Sequence, residues 1–205
     1  MGELDVVWTI EMATAVLQAL APYSIGFFEE PLPYTNKRLY QELRKRSTIP
    51  VAGGECLTSL EEWRDWMLEE PSFDLAQLDA AFMGGLGNFM KIAHSCELLG
   101  IPIATHCNTA AVGLAGNLHA AFACRNTSIL EMHPINLSEQ ALNPHIIAPL
   151  HTDLWITPPE LKEGRLRLAD TPGLGIKLTK EFINKYPFQA GTGEFNSVKG
   201  KVLMN

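Results

Sequence analysis

Ionisable residues recur in this chain at a nearly constant interval, each at the C-terminal end of a short apolar run. Ile25-Gly26-Phe27-Phe28 leads into Glu29 and Val51-Ala52-Gly53-Gly54 into Glu55. Leu75-Ala76-Gln77-Leu78 leads into Asp79, Ile103-Ala104-Thr105 into His106, and Ser128-Ile129-Leu130 into Glu131. The spacings are 26, 24, 27 and 25 residues, each the length of one strand, loop, helix and loop. Another 26 residues back from Glu29 stands Glu3, again acidic. Short continuous apolar runs suit strands buried on both faces of a parallel sheet. The segments between them carry helical periodicity. Thr9 to Leu20 places Ile10, Ala13, Val16, Leu17 and Leu20 on one stripe, with Thr9 as cap. Asn36 to Lys45 turns Leu39, Tyr40 and Leu43 inward, and Thr58-Ser59-Leu60-Glu61 reads as a capping box opening a helix. Asn88 to Leu99 ends at Gly100, and Ala110 to Ala123 is small and apolar nearly all round, which predicts a buried helix.

Strands alternating with helices make right-handed βαβ units on a parallel sheet. In a (β/α)8 TIM-type barrel the C-terminal strand ends build the active site. One acidic residue there is ordinarily a helix cap or a surface charge, but a series on successive units is not a series of caps. The fold class predicted is therefore α/β, with acidic or basic candidate positions on six consecutive βα units. After His133 prolines break the chain into loops and short pieces, and the end of the chain is a polar tail.

Carboxylates this close repel one another unless a positive charge lies among them. Oxygen donors without a cysteine pair or paired histidines favour a hard cation, Mg2+, over zinc. Asp79 and His106 can pair so that the carboxylate orients the imidazole and raises its basicity. Glu131 faces the same cavity and, when protonated, would donate a hydrogen bond to an enolate oxygen. Cys56 and Cys107 each follow a site residue, and strand alternation turns them away from the pocket. Phe82 and Met83 either line the pocket or pack. Gly84-Gly85 reads as a tight turn before a helix, and His133 is a pocket candidate beside Glu131.

Composition narrows the function classes. A net charge of −7 offers no surplus to neutralise phosphates, so no nucleic-acid partner is expected. No apolar run reaches membrane-spanning length, so no membrane partner is expected either. Four cysteines without metal-ligand spacing read as reduced thiols and a cytoplasmic location.

The ordered set of segments carries a resemblance. It comprises Phe28-Glu29-Glu30-Pro31-Leu32-Pro33, Pro50-Val51-Ala52-Gly53-Gly54-Glu55, Leu78-Asp79 with Gly84-Gly85, Gly100-Ile101-Pro102 leading to His106, and Leu130-Glu131-Met132-His133. Pro172-Gly173-Leu174-Gly175 also fits. The chain resembles the C-terminal barrel portion of enolase-superfamily enzymes of the mandelate racemase subgroup, up to about Tyr186. The resemblance implies an enolase-like modified TIM barrel that binds Mg2+ and abstracts the proton α to a carboxylate. It implies that the (β/α)8 barrel is here incomplete, about six βα units over residues 1–134, with 135–187 completing the barrel and returning toward a capping domain and 188–205 a flexible tail. It implies Glu29 and Glu55 as second and third metal ligands, His106 as general base held by Asp79, and Glu131 as enolate stabiliser, with Glu30 lining the site. The first ligand position, an aspartate in the family, falls on Glu3, with Asp5 competing. The family's second-strand lysine pair and its capping domain have no counterpart in this sequence, so the chain is expected to be a fragment of a larger enzyme. The activity implied is dehydration of a sugar acid, an aldonate or aldarate, in an intact homo-oligomer. A racemase or epimerase of the same subgroup is the alternative, as is an inactive chain that acts as a binding partner.

Overall fold

The structure, a computed structural model, describes residues 8–107, 111–131 and 153–187. Five parallel strands, β1 (Phe28–Glu29), β2 (Val51–Gly53), β3 (Leu75–Leu78), β4 (Ile103–Thr105) and β5 (Thr127–Leu130), pair in sequence order. Their registers place Glu29 beside Ala52, Gly53 beside Ala76, and Leu78 beside Thr105. The sixth predicted unit, around Glu3, lies outside the described residues, as do Asp5 and His133.

Helices α1 (Ile10–Leu20), α2 (Lys37–Arg46), α3 (Leu60–Met67), α4 (Leu86–Leu98) and α5 (Ala111–Ala123) fill the intervals. Sequential order with the helices on one side of the sheet describes an arc of a barrel. The main core lies between helices and sheet. Ala13 and Leu17 of α1, Tyr40 and Leu43 of α2, Phe89 and Ile92 of α4 pack with Val51, Ala76, Leu78 and Ile103 of the strands. On the opposite face Ala52, Leu75 and Ala104 form a small separate cluster with Phe27. Adjacent strand residues thus serve different layers.

Local chemistry explains the helix ends. Thr9 caps α1, its Oγ1 accepting from Met12 N at 3.3 Å. The capping box of α3 stands one residue later than expected: Ser59 Oγ accepts from Glu62 N, and the Glu62 carboxylate accepts from Ser59 N and Thr58 N. Glu61 points outward, and Glu62 takes its role because it is the third residue beyond the true cap. Helix α5 is buried along Leu114–Leu118 but leaves Val112 and Phe122 about half exposed, so it is less enclosed than its composition predicts.

At the N-terminal rim of the sheet Arg44 of α2 bonds Asp74 through Nε (2.9 Å) and Nη2 (2.7 Å), and Asp74 Oδ2 accepts from Val51 N at 2.9 Å. In the main core Trp66 stacks on Phe73 at 5.4 Å, and Tyr40 and Trp63 meet the same ring edge-on. The late segment, expected as loops and short pieces, contains an antiparallel hairpin, β6 (Glu160–Lys162) with β7 (Arg165–Arg167), and helix α6 (Lys180–Lys185). Glu163 and Gly164 both have positive φ, the two-residue geometry that matches strand twist. The prolines on either side obscure that turn in the sequence.

Gly54 connects packing to the strand-end loop. Its φ is +115°, and an added Cβ would lie 2.5 Å from Trp63 Cη2. Gly54→Ala is expected to destabilise the protein by about 2–4 kcal/mol, from backbone strain and overpacking together. A urea midpoint within error of wild type would refute this.

Candidate functional site

At the C-terminal ends of β1 to β5 the chain gathers Glu29, Glu30, Glu55, Asp79, His106 and Glu131. Asp79 follows β3 and His106 follows β4, which are neighbours in the sheet. The two side chains meet: His106 Nδ1 is 3.0 Å from Asp79 Oδ2. Asp79 is 2 % exposed. Its Oδ1 accepts from Ala81 N at 2.7 Å and Asn117 Nδ2 at 3.0 Å. Burial acts to raise its pKa, but the hydrogen bonds from His106, Asn117 and Ala81 outweigh it and hold the carboxyl below the usual range. An ionised carboxylate only accepts, so Nδ1 of His106 carries a proton, and Nε2 is the nitrogen left to gain or release a second one. Nε2 lies 3.6 Å from Glu55 Oε2. Burial acts to lower the His106 pKa; the bond to Asp79 and the charges of Glu55 and Glu131 outweigh it and raise it.

The acidic side of the site is crowded. One ligating atom each from Glu30, Glu55 and Cys56 lies within 4.8 Å of the others. Burial, then the charge of Glu30, pushes Glu55 up to about 7, against the opposing pull of His106. Glu30 is also raised, by burial first and by Glu29, against a hydrogen bond from the Gly54 N–H. Glu30 sits at φ +36°, a conformation that β-carbon sterics disfavour. Among the described residues the only basic side chain within ion-pair distance of these carboxylates is His106. Such a donor set fits a hard divalent cation, which would take the carboxylate oxygens and leave the thiol uncoordinated.

Glu29 stands at the same rim, outside the Glu30–Glu55–Cys56 group, with its Oε1 accepting from Gln77 Nε2 at 2.5 Å. Glu131 stands at the end of β5, and its Oε2 accepts from Cys107 N at 3.1 Å. Glu3 lies outside the described residues. Cys107 is buried against Leu114, Leu118 and Trp155, away from the rim as expected. Cys56 is a correction: its thiol faces Glu30 and Glu55. β2 ends at Gly53, so strand alternation no longer governs residue 56. Phe82 lies with its ring centroid 5.6 Å from that of His106, while Met83 packs in the core.

Two buried amides were not singled out from the sequence. Gln77 stands two residues before Asp79 on β3, hence on the same face, a signal that period two offers. Its Oε1 is buried with no hydrogen-bond partner among the described residues. Asn117 lies on α5, fully buried in an apolar stretch. A lone amide in such a helix must find partners, and that was its signal.

Comparison with known proteins follows the same lines. The family model described as enolase C-terminal domain-like matches residues 2–182. The chain is 28% identical over 181 residues to D-galactonate dehydratase family member RspA of Pantoea ananatis, covering 87% of this chain and 40% of that protein. It is 29% identical over 181 residues to the arabinonate dehydratase of Saccharolobus solfataricus, covering 88% and 45%. Among solved structures, an enolase from Pantoea ananatis with bound D-gluconate and Mg superposes with a TM-score of 0.76 at 27% identity, covering 89% of this chain and 41% of that one. The chain thus spans less than half the length of these relatives. Among the described residues no helix is long and apolar enough to cross a membrane.

The raised Glu55 carboxyl has a thermodynamic consequence. A group that binds its proton more tightly when folded lowers stability as pH rises from its unfolded value to its folded one. The metal-free protein is therefore expected to lose stability between about pH 4.5 and 7 through Glu55. His106, also raised, acts in the same direction above its unfolded value. Glu55→Gln should flatten the first contribution and make the protein more stable than wild type at pH 8. Urea unfolding in EDTA at pH 5 and pH 8 measures it, and an unchanged pH dependence would contradict the assignment.

Proposed function

The chain belongs to the enolase C-terminal domain-like family, and from that premise we propose that it carries the catalytic half of a Mg2+-dependent lyase that dehydrates a sugar acid. The carrying observation is the Asp79–His106 pair, which turns Nε2 toward the acidic rim. The names of the relatives, galactonate and arabinonate dehydratases, support the substrate class.

In this reading His106 Nε2 takes the proton from the carbon α to the substrate carboxylate. Asp79 holds the ring and offsets the positive charge that His106 gains. The C–H electron pair passes into an enediolate. Glu131, with Oε2 held by the Cys107 N–H, offers its other oxygen to the enolate oxygen as a carboxyl donor. Departure of the 3-hydroxyl, assisted by the proton on His106, leaves an enol that becomes a 2-keto-3-deoxy acid. Glu29 and Glu55, with Glu3, would hold Mg2+, and Glu30 stands beside Glu55 to line the same site. When bound, Mg2+ would supply the positive charge that offsets these carboxylates and acidifies the α-proton.

The test is incubation in D2O with Mg2+ and D-gluconate, D-galactonate or D-arabinonate, followed by proton NMR. Loss of the C2–H signal and release of a 2-keto-3-deoxy acid are expected. His106→Asn should lower the rate about 10²–10⁴-fold. No exchange and no product with any of the three would overturn the reading. For the cation, Mg2+ at 100 times its dissociation constant should add about 2.7 kcal/mol of stability. Glu29→Gln and Glu55→Gln should each remove most of that gain in thermal unfolding; a shift that survives both substitutions would place the ion elsewhere.

A further inference from the structure

Helix α5 reaches the pair of groups at the strand ends through one side chain. Asn117 is fully buried and uses both ends of its amide. Its Oδ1 accepts from Ala80 N at 2.6 Å. Its Nδ2 donates to Asp79 Oδ1 at 3.0 Å and to the His106 carbonyl oxygen at 3.1 Å. A backbone N–H can only donate, so the Ala80 contact fixes which amide atom is oxygen, and Nδ2 must then face the two acceptors. Every polar atom of the amide is matched by a complementary partner.

We propose that Asn117 is the positioning residue of the Asp79–His106 pair, setting through its amide which carboxylate oxygen the imidazole meets and where the ring stands. The inference rests on the reading of His106 as the base. Its logic is a chain of donors. Asn117 and the Ala81 N–H together occupy Oδ1 of Asp79. Only Oδ2 is left for His106 Nδ1. The same amide ties the backbone following Asp79, at Ala80, to the backbone carbonyl of His106, so the ends of β3 and β4 cannot slide past one another. The hydrogen bonds of the Asn117 side chain go to Asp79 Oδ1 and to backbone atoms of Ala80 and His106, and the residue is fully buried, so it acts through Asp79 and His106. A side chain on the helix after β4 thereby controls the direction of a lone pair on the far side of the imidazole ring.

The experiment reads the His106 Nδ1–H proton by NMR in metal-free, substrate-free protein, and turnover separately. In wild type this proton should resonate far downfield and exchange slowly with water, as expected for a buried bond to a carboxylate. In Asn117→Ala its exchange should accelerate at least about tenfold as the Asp79 carboxylate gains freedom to rotate. On the dehydration reaction kcat should fall about 10–100-fold, the range seen when groups behind a functional side chain are removed, with KM within about threefold. Adding Asn117→Ala to Asp79→Asn should cost less than it costs alone, because the two residues act as a unit. A general loss of packing would instead add to the Asp79→Asn effect.

A folded Asn117→Ala protein with a wild-type Nδ1–H resonance and exchange rate would overturn the inference. If that variant does not fold, Asn117→Leu decides. Branched at Cγ as asparagine is, it fills the space but removes both donors, and it should disturb the Nδ1–H proton as strongly. A folded Asn117→Leu protein with an undisturbed proton would overturn the inference, and so would failure of both variants to fold. Absence of turnover in wild type would sink the dehydratase reading and leave the NMR result to judge Asn117 by itself.

Discussion

An ionised carboxylate at 2 % exposure persists only where donors replace the water it has lost. Asp79 has three: a backbone N–H two residues on, an amide from α5 and an imidazole from β4. Each donor demands something of the fold. The imidazole requires β3 and β4 to be adjacent and parallel, so that both end at the same level. The amide requires α5 to return over the strand it follows. The backbone N–H requires the chain to turn immediately after the carboxylate. The right-handed crossover supplies the first two conditions, and the turn through Ala81 supplies the third.

The remainder of the rim is governed by the opposite circumstance. Glu30 and Glu55 are partly buried and close together, and among the described residues only His106 faces them with basic character. The protein tolerates this because the strands that bring the carboxylates there are secured elsewhere, by the aromatic cluster around Phe73 and by the apolar layer beneath the helices. Packing energy from one layer sustains unfavourable electrostatics in another, the pattern expected of functional sites.

Much of this was legible in the sequence because a parallel strand end advertises itself. An apolar run followed by a charge, repeated at the length of one βα unit, fixed the positions of Glu29, Glu55, Asp79, His106 and Glu131 before any geometry was known. Where the regular period stops, inference from it stops too. Cys56 was assigned to the wrong side because β2 ends at Gly53 and the next residues follow a turn. The α3 cap was misplaced by one residue because Thr58 and Ser59 can each begin such a box, and only Ser59 stands three residues before the glutamate used. Asn117 was hidden by its surroundings: counting apolar residues on α5 recorded the helix as buried but not the one amide for which burial matters. The hairpin of β6 and β7 was lost among prolines, since its two-residue turn carries a single glycine.

The two rims of the sheet are chemically unlike. At the N-terminal rim the charges of Arg44 and Asp74 are matched to each other and to the Val51 N–H. At the C-terminal rim the acids outnumber their basic partners among the described residues. Loops beyond the C-terminal rim can therefore vary in length and residue while the Arg44–Asp74 clasp stays undisturbed about one strand length away. A sheet divided in this manner is evolvable. Selection can rewrite what the molecule recognises at one end, and the lineage keeps its architecture at the other.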